Sequence, residues 1–446
     1  MAQTLTRRRF IGSAAIAGVG LAAFSSGAWM ERADAADGTV TLRFWKPPGM
    51  DNDPENKFFD DLIKKYQTNH PNVKVEHLIL PWDSGFEKYT ATFATKDVPD
   101  VTYQILPWLS SFESQGAIAA LDDLGDVATL FDGVYEGEAK GAIGSDGKHY
   151  AVPYYGSHWV MAINEDIWEQ AGKPEIPTTY DAITAFAKQM TFDEAGKRLD
   201  EDGFDKNKVK TYGYSEAGLW SVATNYVWNY LWAFGAALVS EDQKDIGFNN
   251  DQGRAALQWL KEVKDSGAMT PLALYQDADG WGEALMSGRV GMSWFERLTP
   301  ALIKAYPKAR IKVIDAPAGP AGQFLTGGAG YLAIPEKSQH KAEAFDFIKF
   351  LTDAANVKGY LRESLLYPVK PLGNDLFTGI GEPQQSFMDA AAPQAKYVRL
   401  TPVLPYNPQE IIIAEISNYL EGQKDLDAML QDVSRQVQLM AKNAGA

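Results

Sequence analysis

Apolar positions along the first hundred residues switch regularly between two periods. Thr39 to Trp45 alternates and ends in an apolar run, which predicts a strand that Lys46-Pro47-Pro48-Gly49 turns. Phe58, Phe59, Leu62, Ile63 and Tyr66 recur at helical spacing until His70-Pro71 stops the helix. Val73 to Leu80 predicts a second strand, Pro81-Trp82-Asp83 leads into another helix, and Pro99 to Gln104 reads as a third strand, running out at Leu106-Pro107-Trp108. Strands alternating with helices predict a parallel sheet with covering helices, and such sheets bind ligands beyond the carboxyl ends of their strands. Those ends carry Trp45, Lys46, Trp82, Asp83, Gln104 and Trp108.

The chain then changes character between Tyr150 and Gly172. Short apolar pieces flank Pro153, Trp159 to Ile163 makes a buried-strand run, and Asn164 opens a helix with Ile167 and Trp168 that Gly172 ends. A strand leaving one compact unit and entering another has this pattern. Further on, Thr178-x-x-Asp181 predicts a capped helix with Ile183, Phe186, Ala187 and Met190. Thr191 to Lys210 is a charged insertion read as a solvated β-ribbon: in Asp200-Glu201-Asp202-Gly203-Phe204-Asp205 the glycine falls two places early and no glutamate closes a calcium loop. Leu219 to Phe234 is an aromatic-dense helix, Ala284 to Met292 reads as a strand, and Ala316 to Phe324 as a connecting loop. Thr326 to Pro335 is another strand, and two helical stripes, Ile412 to Leu420 and Leu426 to Met440, close the chain.

Length and composition sharpen this picture. At 446 residues the chain exceeds what one core usually holds, so two units are expected. Thr6-Arg7-Arg8-Arg9-Phe10-Ile11 fits a twin-arginine export signal, with an apolar run to Phe24 and an Ala33-Asp34-Ala35 cleavage site. Cleavage after Ala35 predicts a mature chain of 411 residues and shifts the formal charge from −16 to −18. Such a surface disfavours nucleic acid and anionic membranes. With no cysteine there is neither a disulfide framework, nor thiol chemistry, nor a lipid-anchor residue after the leader, so free diffusion in a periplasm is expected.

Catalytic chemistry has little foothold. There is no G-x-S-x-G elbow, and His70, His77, His149, His158 and His340 lack metal-ligand spacing, so neither metal nor cofactor is expected. A periplasmic glycosidase or lyase is the main rival, since paired carboxylates need no local motif. The 11 tryptophans beyond the leader suit a carbohydrate site instead, where indoles stack on pyranose faces and fixed polar groups meet the hydroxyls.

Several segments resemble one family. Tyr150-Ala151-Val152-Pro153, the following strand, Asn164-Glu165-Asp166-Ile167-Trp168 and Pro177-Thr178-Thr179-Tyr180-Asp181 are similar to the hinge region of the extracellular solute-binding proteins of family 1, the maltose-type and multi-sugar receptors of ATP-binding-cassette importers. His70-Pro71-Asn72-Val73-Lys74-Val75-Glu76, Pro99-Asp100-Val101 and Thr326 to Pro335 extend the likeness to both sides of that hinge. The resemblance implies an α/β fold of two lobes joined by three crossings, of the type II, maltose-binding-protein-like class. Lobe 1 is expected to comprise 36–155 and 325–355, and lobe 2 to comprise 156–324 and 356–446, after a leader over 1–35. It places Ser157 at the hinge, Asn225, Trp228, Trp294, Glu296 and Arg297 at the cleft, and Gly327 and Gly328 where backbone meets ligand. With Trp45, Lys46, Trp82, Asp83 and Gln104 these form the expected binding set. The implied partners are a small carbohydrate and an inner-membrane permease, and the protein is expected to be a monomer without enzymatic activity. Arg297 with Lys46 keeps open an anionic ligand such as glycerol 3-phosphate or a sulfonated sugar.

Overall fold

The computed structural model describes residues 38–50, 52–144, 146–216, 227–271, 278–399, 404, 406 and 408–444. The chain opens with β1 (Val40–Lys46), α1 (Asn52–Asn69), β2 (Val73–Ile79), α2 (Trp82–Phe93), β3 (Val101–Ile105) and α3 (Leu106–Ser114), followed after a loop by α4 (Glu136–Gly141). β1 pairs parallel with both β2 and β3, as the alternation of periods predicts. The strand β4 (Val152–His158) belongs to the same sheet, whereas β5 (Val160–Asn164), beginning two residues later, belongs to another. Trp159 is therefore the crossing residue.

Beyond it come α5 (Glu165–Gln170), α6 (Tyr180–Gln189), the short ribbon of β6 (Phe192–Asp193) with β7 (Val209–Thr211), α7 (Val227–Phe234), α8 (Asp251–Asp265) and α9 (Ala278–Met286). The segment expected as a strand from Ala284 is the end of α9 and a turn; the strand β8 starts at Met292 and runs to Phe295. Gly288, with φ of 73°, makes that turn, which a glycine adopts without steric cost. After α10 (Pro300–Ala305) and β9 (Ile311–Ile314), the expected loop contains a hairpin of β10 (Ala318–Gly319) and β11 (Gly322–Gln323). β8, β5 and β9 make a three-stranded antiparallel sheet, the core of the second lobe.

The chain returns on β12 (Leu325–Ala333), which lies antiparallel between β3 and β4. α11 (Lys341–Leu351) and α12 (Ala354–Ser364) follow. α12 corrects the expected division at residue 355. Its Tyr360 ring packs 5.3 Å from Phe58 and 5.6 Å from Tyr154, so the helix lies on lobe 1. The third crossing comes later, after Tyr367, which exchanges backbone hydrogen bonds with Gly156 (2.7 and 3.0 Å). α13 (Gln384–Ala391) then packs on lobe 2 through Phe387, 5.6 Å from Phe295. β13 (Val398–Arg399) touches β12, and α14 (Gln409–Leu420) with α15 (Leu426–Asn443) packs near α8, where Arg254 meets Asp427 at 2.6 Å. The first boundary also shifts: Gly156, Ser157 and His158 still pair with β12 and belong to the six-stranded sheet.

Local signals explain most of the element ends. Asn164 accepts from the N–H groups of Asp166 (3.0 Å) and Ile167 (3.1 Å), which is the N-cap expected of it. The cap of α6 differs from expectation, because the helix starts at Tyr180 and Thr179 makes no side-chain cap bond. Asn164 also donates to the carbonyl of Leu285 (2.8 Å), fastening α5 to α9. Asn164→Ala should cost about 2 kcal/mol in chemical denaturation, from the lost cap and the lost buried bond together; Asn164→Asp, keeping only the cap, should fall between.

Candidate functional site

The end of β2 delivers Trp82 to the first turn of α2, where its indole N–H donates to the carbonyl of Pro48 (2.9 Å). Its ring centroid stands 5.8 Å from Trp108 and 6.2 Å from Tyr103, and Tyr103 stacks on Tyr155 at 5.0 Å. Gly85 permits this packing, since a Cβ there would lie 3.0 Å from the Trp108 ring. Trp82 remains 44% exposed, so one large apolar face of this aromatic wall is open to solvent. Trp108, Tyr103 and Tyr155 provide its backing. The two tyrosines carry no distinctive sequence signal, because an aromatic inside a buried strand reads as core.

Polar groups stand at the crossing strands. Ser157 on β4 donates its hydroxyl to the Glu296 carboxylate, just past β8 of lobe 2, and the Tyr367 hydroxyl donates to the Glu296 carbonyl (2.6 Å). Gly328 lies opposite Ser157 and Gly327 opposite His158. On α7, Asn229 accepts from the Thr326 hydroxyl at 2.5 Å, while its Nδ2 and the Trp228 Nε1 are buried without a hydrogen-bond partner among the described residues. Buried donors of this kind call for an acceptor.

Other expected residues are placed differently. Lys46 is fully buried: β1 runs one residue further than expected, and its ammonium pairs with Glu55 of α1 beneath Tyr360. Burial pulls its pKa down and the neighbouring Glu55 opposes that, so the pair answers its own charges and Lys46 is not offered to a ligand. Trp45 and Gln104 face the opposite side of the sheet, where Trp45 packs with Leu80, Tyr89 and Phe112 and Gln104 donates to Thr102 (3.0 Å). Both are lobe-1 core residues. Trp228 and Trp294 are buried in lobe 2. Arg297 is committed as well, donating to the carbonyls of Gly49 (2.7 Å) and Ser364 (2.9 Å). Asn225 and the side chain of Asp83 lie outside what the structure describes. Among the described residues no group of histidine, aspartate and glutamate side chains could hold a metal ion.

The profile of the family described as bacterial extracellular solute-binding protein matches residues 61–371, more than two thirds of the chain. The chain belongs to that family. This solute-binding protein is 24% identical to the diacetylchitobiose binding protein DasA of Streptomyces coelicolor, over 95% of this chain and 97% of the relative. Among solved structures it is similar to a cyclic alpha-maltosyl-1,6-maltose binding protein from Arthrobacter globiformis, at a TM-score of 0.73 and 21% identity, covering 91% of this chain and 100% of that one. It is similar too to UgpB from Mycobacterium tuberculosis in complex with glycerophosphocholine, at a TM-score of 0.72 and 19% identity with 91% and 100% coverage. These likenesses establish the two-lobe fold.

Three buried ionisable groups around the site titrate abnormally. His158 is pushed down to about 4 by burial, so it is neutral at pH 7, and its Nε2–H donates to the carbonyl of Ala391 on α13 (3.0 Å). Burial lifts Glu138, which accepts from the Ala329 N–H (2.8 Å), to about 7. It lifts Glu216, to which the Tyr214 hydroxyl donates, to about 7 as well. Both carboxyls therefore sit above their unfolded value of 4.5, and between that value and about 7 the native state keeps protons the unfolded chain has released. Stability falls as pH rises through this window. Glu216→Gln should flatten the unfolding free energy against pH between about 5 and 7, by at most about 3 kcal/mol; an unaltered slope would contradict the assignment. Separately, Lys46→Met strands the Glu55 carboxylate and should cost about 3–5 kcal/mol in denaturant unfolding, with the Lys46→Met, Glu55→Leu pair costing less.

Proposed function

We propose that this solute-binding protein captures a neutral mono-, di- or oligosaccharide between its lobes and delivers it to an ABC permease, without altering it. The observation that carries this reading is the open indole face of Trp82, backed by Tyr103, Trp108 and Tyr155, on the same chain as the polar Ser157–Glu296 pair. A pyranose needs both: an apolar plate for its ring face and fixed acceptors and donors for its hydroxyls. Trp82 would stack, Ser157 and Glu296 would bond hydroxyls, and Gly327 and Gly328 would offer backbone. The relatives whose names include diacetylchitobiose and cyclic maltosyl-maltose add support.

An anionic sugar derivative is the second reading, and the UgpB likeness favours it. The two cations it would need are engaged elsewhere, Lys46 with Glu55 and Arg297 with two backbone carbonyls, which favours the neutral ligand. On this reading the Arg7-Arg8-Arg9 leader would direct export to a periplasm, where the protein would work as a monomer. Lobe 1 would comprise the described residues of 38–158 with 325–367, and lobe 2 those of 160–324 with 368–444, with Trp159 as the first crossing.

A thermal-shift screen of the purified protein against neutral saccharides, polyols and sugar phosphates tests the reading, because a ligand that binds only the native state raises its melting temperature. A neutral saccharide should give the largest shift and be recovered intact by chromatography. Trp82→Ala should then weaken that saccharide about tenfold, the equivalent of about 1.4 kcal/mol of lost stacking. A response to sugar phosphates alone, or recovery of cleaved sugar, would overturn the proposal.

A further inference from the structure

Among the described residues Arg297 makes both of its guanidinium hydrogen bonds to the other lobe, while its Nε lies beside Glu296 of its own lobe. It follows β8 in the three-stranded sheet of lobe 2, yet its Nη1 reaches the carbonyl of Gly49, in the turn after β1, at 2.7 Å, and the carbonyl of Ser364, the last residue of α12, at 2.9 Å. Both acceptors are backbone groups of lobe 1. We propose that Arg297 is a closure latch: a guanidinium on lobe 2 that holds the lobes together by bonding lobe-1 main chain rather than ligand.

The acceptors suit that task. The carbonyls of a helix's last turn have no partner within the helix and carry the negative end of its dipole. α12 ends abruptly at Leu365, which is left-handed with φ of 56°, and this leaves the Ser364 carbonyl pointing out of the helix. A cation is the natural donor for it. When the lobes part, water can replace Arg297 at both carbonyls, so the contact is conditional on closure and does not lock the fold.

The acceptor loop is tied to the buried charges beside it, the Lys46 ammonium donating to the Pro47 carbonyl (2.7 Å). A Cβ on Gly49 would stand 2.1 Å from the Tyr360 hydroxyl, and that hydroxyl bonds Glu55 (3.0 Å), the partner of Lys46. The buried Lys46–Glu55–Tyr360 group thus lies directly beside the loop that carries the Gly49 acceptor. On the donor side, Glu296 is tied to Ser157 and Tyr367 at the crossing strands, and its carboxylate lies 3.5 Å from the Arg297 Nε. The latch and the proposed hydroxyl-binding carboxylate are consecutive residues. A ligand that pulls Glu296 into place would also aim Arg297, which shifts the open–closed population toward the closed form.

The inference rests on the two-lobe hinge but not on the identity of the ligand, so its test uses none. The chain has no cysteine, and spin labels can be placed through Lys64→Cys on α1 and Lys304→Cys on α10 with no background. Pulsed dipolar spectroscopy then reads the interlobe distance after the protein has been unfolded, dialysed and refolded. The parent pair should show a dominant short population; adding Arg297→Gln should move it to a longer, broader one, and Arg297→Lys, which keeps a donating cation, should restore part of the short population. Gly49→Ala should lengthen the distance with Arg297 intact, because it displaces the acceptor, and this variant decides the matter if Arg297→Gln does not fold. Distributions for Arg297→Gln and Gly49→Ala that match the parent, with unchanged melting temperatures, would overturn the latch.

Discussion

The architecture depends on one pairing, the antiparallel contact of β4 with β12 where β4 leaves lobe 1 and β12 enters it. Gly327 faces His158 and Gly328 faces Ser157 across it, and the backbones approach so closely that a Cβ on Gly327 would stand 2.5 Å from the Ser157 carbonyl. Only a residue without a side chain fits there. Tyr367 adds a third segment through its hydrogen bonds to Gly156. Three thin connections side by side can bend together while the sheets on either side stay intact, which is the geometry of a hinge.

Around that hinge, several buried charged and polar groups are matched to one another. Lys46 answers Glu55, Glu138 accepts from the β12 backbone, His158 donates to α13, and Glu216 accepts from Tyr214. Each would be costly alone in a desolvated site. The Trp82 face is exposed, and among the described residues the buried Trp228 Nε1 and Asn229 Nδ2 are two of several polar atoms without a hydrogen-bond partner.

Much of this was legible in the order of periods along the chain. The alternation of strand and helix from Val40 to Ile105 and the Asn164 cap follow from local patterns. α3 does not, because Leu106-Pro107-Trp108 reads as the end of the third strand, and Trp159 reads as the start of a strand rather than the residue between two. The position of α12 was not, because its apolar face reads the same whichever lobe it covers and only Tyr360 against Phe58 decides it. The roles of Lys46 and Arg297 escaped for a related reason. A basic residue near a strand end looks like a ligand contact until its partner is known, and here the partners are Glu55, nine residues on, and carbonyls 248 and 67 residues away. Backbone acceptors leave no trace in side-chain chemistry.

The central claim is that two lobes clasp a saccharide between the Trp82 wall and the Ser157–Glu296 pair. Hydrogen–deuterium exchange, with and without the saccharide that gives the largest thermal shift, tests it directly. Protection should concentrate in the peptides around residues 47–49, 82–108, 156–158, 294–297 and 326–328, on both lobes at once. Protection confined to one lobe, or centred away from these segments, would contradict the account.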